Sequence, residues 1–442
     1  MRASSEIRMA LVGGGMFGGD VVLRTIEDLE RCGIAPYLGC VGLDAAARSL
    51  AEVRWKLVAI GTRSEASAVR LVQRYSERLP GAAPKPYFGE KPWEEIFASH
   101  EVDFLCVATP DHLHAAPVLH ALEHGAHVLV EKPLTLSLPE ADAILDLARA
   151  KGLVVGVDLH KRYDPCHRFL FQELVPRIGK PLYARAVLEE PLEVSTTTFQ
   201  WAARSDPFSY VGVHWADLFG HYLGLTPASL HAVGQKELLA NWSREGRVED
   251  GPKDIDTFDA LQVSVDYTSG LRVYYVNAWV NPKEFEGPVN QEMEIVGTRG
   301  KIEFDQQYRG LRATISGWGS RTFNPHFTSD VHRTGQSGQG SQAAGLSGYG
   351  KDSIVVVAER AAEAILGLSG RDAMRGSYAD VESARPTTAI VQAAREVATR
   401  NLAALRSGRG TPVTAKFSEA GIEVVDPIAG SSFLYRGNPF SR

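Results

Sequence analysis

The sequence predicts an α/β plus α+β protein of two domains. An N-terminal doubly wound parallel sheet should precede a C-terminal domain built on a large open, mainly antiparallel β-sheet. The chain has 442 residues, more than one hydrophobic core usually organises. Strand-like and helix-like runs alternate in its first part, whereas consecutive strand-like runs dominate after residue 160. We therefore expect one domain at 1–157 and a second at 158–442.

The first strand-like run, Ile7 to Val12, ends at the glycine-rich stretch Gly13-Gly14-Gly15-Met16-Phe17-Gly18. Apolar residues then recur at helical spacing, which predicts a strand, a tight turn and a helix. Residues 33–53 form an insertion before the second strand, and the sequence assigns it no role. Further strands are expected at 56–60, 103–108, 127–131 and 153–157, with helices at 65–78 and 138–150.

The apolar pattern in the second half of the chain predicts strands joined by short connections. Thr268-Ser269-Gly270 joins two of them as a hairpin, with a glycine able to take positive φ. The stretch 316–350 is rich in glycine and serine towards its end, and we expect a lid or a contact with a neighbouring subunit; composition does not decide between these. The predicted strands are 182–188, 260–267, 271–280, 292–296 and 301–304.

Composition excludes several classes of function. The 47 basic and 53 acidic residues give a net charge of −6, so no global basic field exists to hold nucleic acid or an anionic membrane. The four cysteines lack C-x-x-C spacing, which fits a reducing compartment. No apolar run approaches the roughly 20 residues that span a bilayer, and the start lacks the apolar core of a secretory signal. We expect a cytoplasmic protein with a small-molecule partner.

The glycine-rich stretch indicates a nucleotide site. In Gly13-x-Gly15-x-x-Gly18 the first glycine permits the turn, the second admits a pyrophosphate and the third allows close packing of helix and strand, although glycine triplets also occur in plain turns. The second strand ends in Gly61-Thr62-Arg63-Ser64, without the usual ribose-binding carboxylate. Arg63 can donate paired hydrogen bonds to a 2′-phosphate, which favours NADP over NAD. Stacking of Arg63 on adenine would suit either cofactor.

Three segments resemble the Gfo/Idh/MocA family, the family of glucose-fructose oxidoreductase and inositol dehydrogenase. They are Val107-Ala108-Thr109-Pro110-Asp111-His112-Leu113-His114, Gly125 to Pro133 with its Glu131-Lys132-Pro133 turn, and Gly156 to Pro165. The resemblance implies a dinucleotide-binding Rossmann domain at 1–157, followed at 158–442 by a substrate-binding and oligomerisation domain with an open sheet. It also implies oxidation or reduction of a hydroxyl-bearing carbon of a sugar or cyclitol, and pairing through the sheet into homodimers or homotetramers.

Lys132 is the expected catalytic base. It follows a strand at the carboxyl edge of the sheet, where ligands bind in this architecture, and a nearby cationic nicotinamide disfavours its ammonium form. His114 matches the family's Pro-x-x-x-His pattern and is expected near cofactor or substrate. Candidate cofactor-binding residues are Gly13, Gly15, Met16, Phe17, Gly18, Thr62, Arg63, Thr109, Pro110, His114, Glu131 and Lys132.

The family's second catalytic element is an aspartate followed four residues later by a histidine. Here Tyr210 takes the aspartate position and His214 is retained. We expect Lys132 and His214 to flank the reacting hydroxyl, with Tyr210 donating a proton nearby; alternatively, Tyr210 is a packed aromatic. Asp217 and His221 continue the helical stripe, yet we expect no metal, since such spacing usually marks a hydrogen-bonded face. Candidate substrate-binding residues are Lys132, Lys161, Arg162, Tyr163, Tyr210, His214 and Asp217, with an ion pair between domains as the alternative for Arg162.

The sequence thus favours an NAD(P)-dependent oxidoreductase acting on a hydroxyl of a sugar, glycoside or cyclitol. Two alternatives stay open. One is a redox-neutral enzyme that oxidises its sugar transiently before elimination or epimerisation. The other is a non-catalytic regulator that binds nucleotide or sugar, suggested by the tyrosine at position 210.

Overall fold

The computed structural model describes residues 6–243, 246–247, 255–285, 287, 289–306, 312–316, 319–322, 324, 326–331 and 345–440. The strands are β1 (Glu6–Val12), β2 (Arg54–Thr62), β3 (Lys85–Phe88), β4 (Phe104–Val107), β5 (His127–Glu131), β6 (Val155–Asp158), β7 (Pro181–Pro191), β8 (Pro227–Gln235), β9 (Trp242–Ser243), β10 (Gly246–Arg247), β11 (Ala260–Tyr267), β12 (Arg272–Asn281), β13 (Asn290–Gly297), β14 (Gly300–Asp305), β15 (Arg312–Ile315), β16 (Gly319–Thr322), β17 (Ser329–Val331), β18 (Gly345–Ser347), β19 (Thr414–Ser418), β20 (Gly421–Val425) and β21 (Ser432–Arg436). The α-helices are α1 (Leu23–Cys32), α2 (Ala35–Cys40), α3 (Asp44–Ser49), α4 (Glu65–Arg78), α5 (Pro92–Ser99), α6 (Ala115–Glu123), α7 (Leu138–Lys151), α8 (Pro165–Phe169), α9 (Val213–Leu223), α10 (Tyr349–Ile365) and α11 (Val381–Arg406).

The chain divides into two compact units. Unit 1 comprises Met1–Thr135, Pro139–Asp164 and Pro325–Ser383, and unit 2 comprises Leu136–Leu138, Pro165–Asn324 and Ala384–Arg442. The sequence-based division has a single boundary at 157/158, whereas the structure groups a late segment with the first unit. The reason is packing, because α10 buries its apolar residues in the same core as β1 and α1.

Unit 1 is built on a six-stranded parallel sheet in the order β3-β2-β1-β4-β5-β6. This order confirms the doubly wound sheet expected from the alternation of strands and helices. It places the carboxyl ends of β1, β4 and β5 side by side, at the point where the strand order reverses and ligands bind in such sheets. Strand β3 was not predicted, because its sequence Lys-Pro-Tyr-Phe has no apolar run.

Two segments complete the core of unit 1. The insertion at 33–53 forms α2 and α3 and contributes four buried side chains, Ile34, Leu38, Leu50 and Val53. The second segment is the chain from β18 to residue 383. It covers the edge strand β6, where the Val157 N–H donates to the Ala379 carbonyl at 2.7 Å. Of the stretch 316–350, in which a lid was expected, residues 317–318, 323, 325 and 332–344 lie outside the described part of the chain.

Unit 2 is built on a nine-stranded sheet in the order β14-β13-β7-β12-β11-β8-β19-β20-β21. Its neighbouring strands are antiparallel except for β7 and β12, which confirms a mainly antiparallel sheet. The predicted hairpin joins β11 to β12, and Gly270 has φ 88°. Residues of α9 and α11 pack against one face of the sheet and form the core of the unit. In the described part of the chain, no helix combines the length and apolarity needed to cross a membrane.

Candidate functional site

The glycine-rich turn has a shape that only glycine fits at two positions. Gly13 has φ 109°, and a Cβ there would lie 2.2 Å from the Ala108 carbonyl oxygen. A Cβ on Gly18 would lie 2.6 Å from the Gly13 carbonyl oxygen, so this glycine lets the helix begin close to the turn. A Cβ on Gly15 would meet nothing within 4 Å, which leaves open space where a ligand can approach the backbone. The turn therefore fits a pyrophosphate.

Met16 and Phe17, which follow Gly15 in the turn, differ in exposure and in surroundings. The Met16 side chain is exposed, whereas Phe17 is partly buried and stacks on His160 with ring centroids 5.6 Å apart. Phe327 and Tyr349 extend the same cluster, at 6.1 Å from Phe17 and 5.9 Å from His160. The late segment of unit 1 thus packs against the glycine-rich turn.

Strand β2 ends with Thr62, and Arg63 follows it. The Thr62 hydroxyl donates to the Ser64 carbonyl at 2.7 Å and shapes this turn. The Arg63 side chain is 85% exposed and lies 3.2 Å from Glu90, which is 81% exposed. An ion pair this exposed is weak, so the guanidinium can leave Glu90 for a ligand phosphate.

His114 connects the ends of two strands. Its Nδ1 lies 2.7 Å from the Pro133 carbonyl oxygen and its Nε2 lies 2.9 Å from the Thr109 carbonyl oxygen. Burial lowers the pKa of this imidazole. The ring therefore fixes the turn after β4, with Thr109 and Pro110, to the turn that follows Lys132. Both turns lie at the carboxyl edge of the sheet.

Lys132 is the first residue after β5, and its side chain is buried, at 7% exposure. Glu131, the last residue of β5, pairs in register with Asp158, the last residue of β6. Both of these carboxyl groups are buried. Burial, together with the charge of Asp158, raises the pKa of Glu131 well above its ordinary value, and burial also raises the pKa of Asp158.

The turn after β6 holds the predicted substrate residues of unit 1. Lys161 and Arg162 are buried, and Tyr163 is partly buried. Arg162 donates from Nη1 to the Ser383 hydroxyl at 3.0 Å and from Nη2 to the Ser383 carbonyl at 3.3 Å. These contacts lie inside unit 1, so they fix the turn to the start of α11.

In unit 2, Tyr210 lies in the turn that leads into α9 and is surrounded by aromatic rings. Phe199 and Trp201 lie 4.7 and 5.6 Å away, and Trp279 lies at 6.0 Å. This packing matches the alternative in which Tyr210 is a packed aromatic, while its partial exposure keeps the ring accessible.

His214 and Asp217 lie on one face of α9, about one and two turns after Tyr210, and both are buried. The Thr387 hydroxyl lies 3.5 Å from Asp217 Oδ1. Asp206 orients the turn, because its carboxylate accepts from the Ser209 N–H at 2.8 Å and from the Ser209 hydroxyl at 2.6 Å. His221 is exposed, unlike the two residues that precede it on the stripe. Among the described residues, no group of three or more His, Cys, Asp or Glu has the arrangement of a metal site.

The sequence reasoning missed Asp158 and His160. Both belong to the segment that carries the family resemblance. The position of Asp158 depends on a pairing between strands, whereas His160 follows β6 and stacks on Phe17. The available signal was the shared strand end: β5 closes with Glu131 and β6 with Asp158, and in-register ends of parallel strands are neighbours.

Comparisons with known proteins agree with this architecture. Residues 7–159 match the model described as "Oxidoreductase family, NAD-binding Rossmann fold", and residues 176–303 match the C-terminal domain model of the same family. A structure of scyllo-inositol dehydrogenase from Lactobacillus casei, with bound NAD(H) and scyllo-inositol, superposes with a TM-score of 0.59 at 14% identity. That superposition covers 90% of this chain and 98% of the dehydrogenase. At this identity it shows the fold alone.

Two curated relatives match shorter regions. The 1,5-anhydro-D-fructose reductase of Ensifer adhaerens is 30% identical over 213 residues, or 47% of this chain and 59% of the reductase. A 2,7-anhydro-N-acetylneuraminate hydratase of Mediterraneibacter gnavus is 26% identical over 218 residues, or 48% of this chain and 54% of the hydratase. The chain thus spans less than two thirds of these relatives' lengths. Because 7–159 and 176–303, which together make up more than half of the chain, match models of one family, the chain belongs to the GFO/IDH/MocA oxidoreductases.

Proposed function

We propose that this protein transfers a hydride between a nicotinamide cofactor and a hydroxyl-bearing carbon of a sugar, glycoside or cyclitol. The observation that carries the proposal is Lys132, a buried lysine at the carboxyl edge of a sheet whose glycine-rich turn fits a pyrophosphate. The bound nicotinamide supplies the hydride acceptor or donor. The names of the reductase and of the scyllo-inositol dehydrogenase support a sugar or cyclitol substrate.

The residues have distinct roles in this proposal. The Lys132 amine takes the hydroxyl proton as the carbinol carbon is oxidised, and returns it on reduction. His214 shares that proton transfer, and Tyr210 donates a hydrogen bond to the same or a neighbouring hydroxyl. Lys161, Arg162, Tyr163 and Asp217 bind the other hydroxyls. Met16, Phe17, Thr109, Pro110 and His114 shape the cofactor pocket.

Two finer features belong to the proposal. We infer a preference for NADP, because Arg63 is exposed and no carboxylate ends β2. We also infer a homodimer or homotetramer in the cytoplasm. The support for self-association is the face of the nine-stranded sheet opposite the helices, where Tyr183 and Tyr274 are each 43% exposed.

Replacement of Lys132 tests the proposal. We expect K132M to lower kcat by about 100-fold or more, the usual contribution of a positioned proton-transfer group, while nucleotide affinity changes little. K132R keeps the charge but cannot act as a base near neutral pH, so it should be equally inactive. K351M, which removes a lysine that pairs with Asp28 on α1, is the matched control. Turnover of K132M at the wild-type rate would refute the role of Lys132.

A redox-neutral reaction is the second candidate. The relative named as a hydratase supports it, because addition of water involves no net change of oxidation state. Formation of reduced nucleotide in amounts equal to product would exclude this candidate. Turnover sustained by the nucleotide that co-purifies with the protein would favour it.

A further inference from the structure

We propose that Glu131 and Asp158 share one proton and act as a single monoanionic carboxyl pair next to Lys132, which makes Asp158 a positioning residue for the proton-transfer lysine. The inference deepens the proposed function, since it rests on the role of Lys132 given there. The pair itself is a property of unit 1 and can be tested without a substrate.

The geometry begins with the strand register. β5 and β6 are parallel neighbours, and Glu131 and Asp158 are partners at their carboxyl ends. Partners in a parallel ladder place their side chains on the same face of the sheet. Both side chains are buried there, with Glu131 8% and Asp158 0% exposed. Two carboxyl groups are therefore held together away from water.

The next step concerns hydrogen-bond donors. Within the described chain, Glu131 Oε1 and both carboxyl oxygens of Asp158 have no donor at standard hydrogen-bond geometry. An ionised carboxylate only accepts hydrogen bonds, so with both groups ionised these three buried oxygens would lack donors and the two negative charges would repel each other. A proton carried by one of them supplies the missing donor. Burial and the charge of Asp158 raise the pKa of Glu131, which identifies Glu131 as the carrier and Asp158 as the acceptor.

The groups around the pair determine its net charge. The Lys132 backbone N–H and the Lys132 ammonium both stabilise ionised Glu131, and the Ser353 hydroxyl of α10 lowers the pKa of Asp158. The Cys106 thiol of β4 also faces Asp158, whose charge adds to burial in raising the thiol's pKa. His160 Nδ1 lies 3.9 Å from Asp158 Oδ1. Lys132 is thus the lysine that faces this pair, and one negative charge balances its ammonium form.

The shared proton has a consequence for catalysis. A base must release its own proton before it can accept one from the substrate, and two negative charges beside Lys132 would hold the ammonium form too strongly. A monoanionic pair stabilises the ammonium that forms when Lys132 takes the hydroxyl proton, without preventing its release. The proton of the pair stays in place throughout the cycle.

The test follows the Lys132 Cε resonance by NMR against pH, in full-length protein labelled with ¹³C-lysine and assigned with K132M. Wild type, E131Q and D158N each retain one negative charge, so the pH midpoint of Lys132 should agree among them to within about 0.5 pH unit. The double variant E131Q/D158N has no negative charge at the pair, so the pH midpoint of Lys132 should fall by about one to three pH units. E359Q, which removes a buried carboxyl group on α10, is the control and should leave the midpoint unchanged.

The single variants decide the question even if the double variant does not fold. If both carboxylates were ionised in the wild type, each single replacement would remove a charge and lower the midpoint, which would overturn the proposal. Infrared spectra provide an independent measurement. The carbonyl stretch of a protonated carboxylic acid should be present in wild type at pH 7 and absent in both E131Q and D158N. If that band is absent in wild type, the shared proton is refuted, even where K132M is inactive. If the band is present while K132M turns over normally, the proposed function of Lys132 fails and the shared proton stands.

Discussion

Arg63 is the residue on which the proposed preference for NADP rests. Its guanidinium has two possible partners, the Glu90 carboxylate at 3.2 Å and the 2′-phosphate of NADP. Both side chains are largely exposed, so the ion pair contributes at most about 1 kcal/mol, whereas a charge-assisted bond to phosphate contributes about 1.5–3 kcal/mol. The phosphate should therefore displace Glu90.

We expect R63A to raise the Kd for NADPH by about tenfold or more and to leave the Kd for NADH within about threefold. E90Q should tighten NADPH binding by less than about fivefold, because it removes only a weak competing pair. Titrations that follow nucleotide fluorescence measure both constants. Equal weakening of the two nucleotides in R63A would show that the side chain stacks on adenine and does not bind a phosphate.

At the residue scale, the sequence predicted positions better than partners. Gly13 and Gly18 were identified because turn geometry restricts backbone conformation locally, and a Cβ at either position would meet backbone oxygen. The two contacts of the His114 ring with the Pro133 and Thr109 carbonyl oxygens could not be predicted, since they join turns separated by β5. The pairing of Glu131 with Asp158 could not be predicted either, because it depends on which strands are neighbours in the sheet.

At the scale of elements, the contact between β6 and α10 gives a sharp prediction. An ideal Cβ on Gly156 would lie 2.3 Å from Val357 Cγ2 and 2.5 Å from Cγ1, inside the core of unit 1. We expect G156A to lower the free energy of unfolding by about 1–3 kcal/mol, because the helix must move away from the sheet. V357A removes both methyl groups, so the double variant G156A/V357A should be more stable than the sum of the two single effects implies.

Chemical denaturation of the four proteins measures that coupling. G39A is the matched control, since Gly39 lies in helix α2 of the same unit and a Cβ there meets nothing within 4 Å. Alanine at this position should be neutral or slightly stabilising. Strictly additive effects of G156A and V357A would contradict the packing of α10 on β6.

Strong local periodicity explains which elements were predicted. Helix α4 was predicted with the bounds it has, and the β11–β12 hairpin was predicted from its turn. Strands β8 and β19 to β21 were missed; in β8, Pro227 and Gly234 interrupt the strand pattern. Helices α2 and α3 were missed for a related reason: each has six residues, too few to show a period.

At the scale of the whole molecule, the sequence determined fold class more readily than the division of the chain. Alternating strands and helices indicated a parallel sheet, and consecutive strands indicated an antiparallel one. No local signal indicated that 325–383 groups with unit 1. The grouping depends on apolar residues of α10, such as Val357, that pack on β6, and Gly156 of that strand lies about 200 residues earlier in the chain. Long-range burial of this kind is set by tertiary packing, which a single sequence does not reveal.

The proposed self-association would use the open face of the sheet in unit 2. Tyr183 pairs in register with Arg272, and Tyr274 with Arg185, so all four side chains lie on one face of β7 and β12. Both arginine side chains are about half exposed, at 54% for Arg185 and 51% for Arg272. Exposed tyrosines beside arginines have the composition of an interface core, since both residue types are enriched at binding hot spots.

We therefore expect Y274E to weaken self-association by about 30-fold or more, since a carboxylate would be buried at the centre of the interface. Sedimentation velocity should then show a lower mass at micromolar concentration, with no change in the secondary structure seen by circular dichroism. L405E introduces the same charge at an exposed position of α11 and should leave the mass unchanged. If Y274E sediments as the wild type does, this face of the sheet is not the interface, and the protein either associates through other surfaces or remains a monomer.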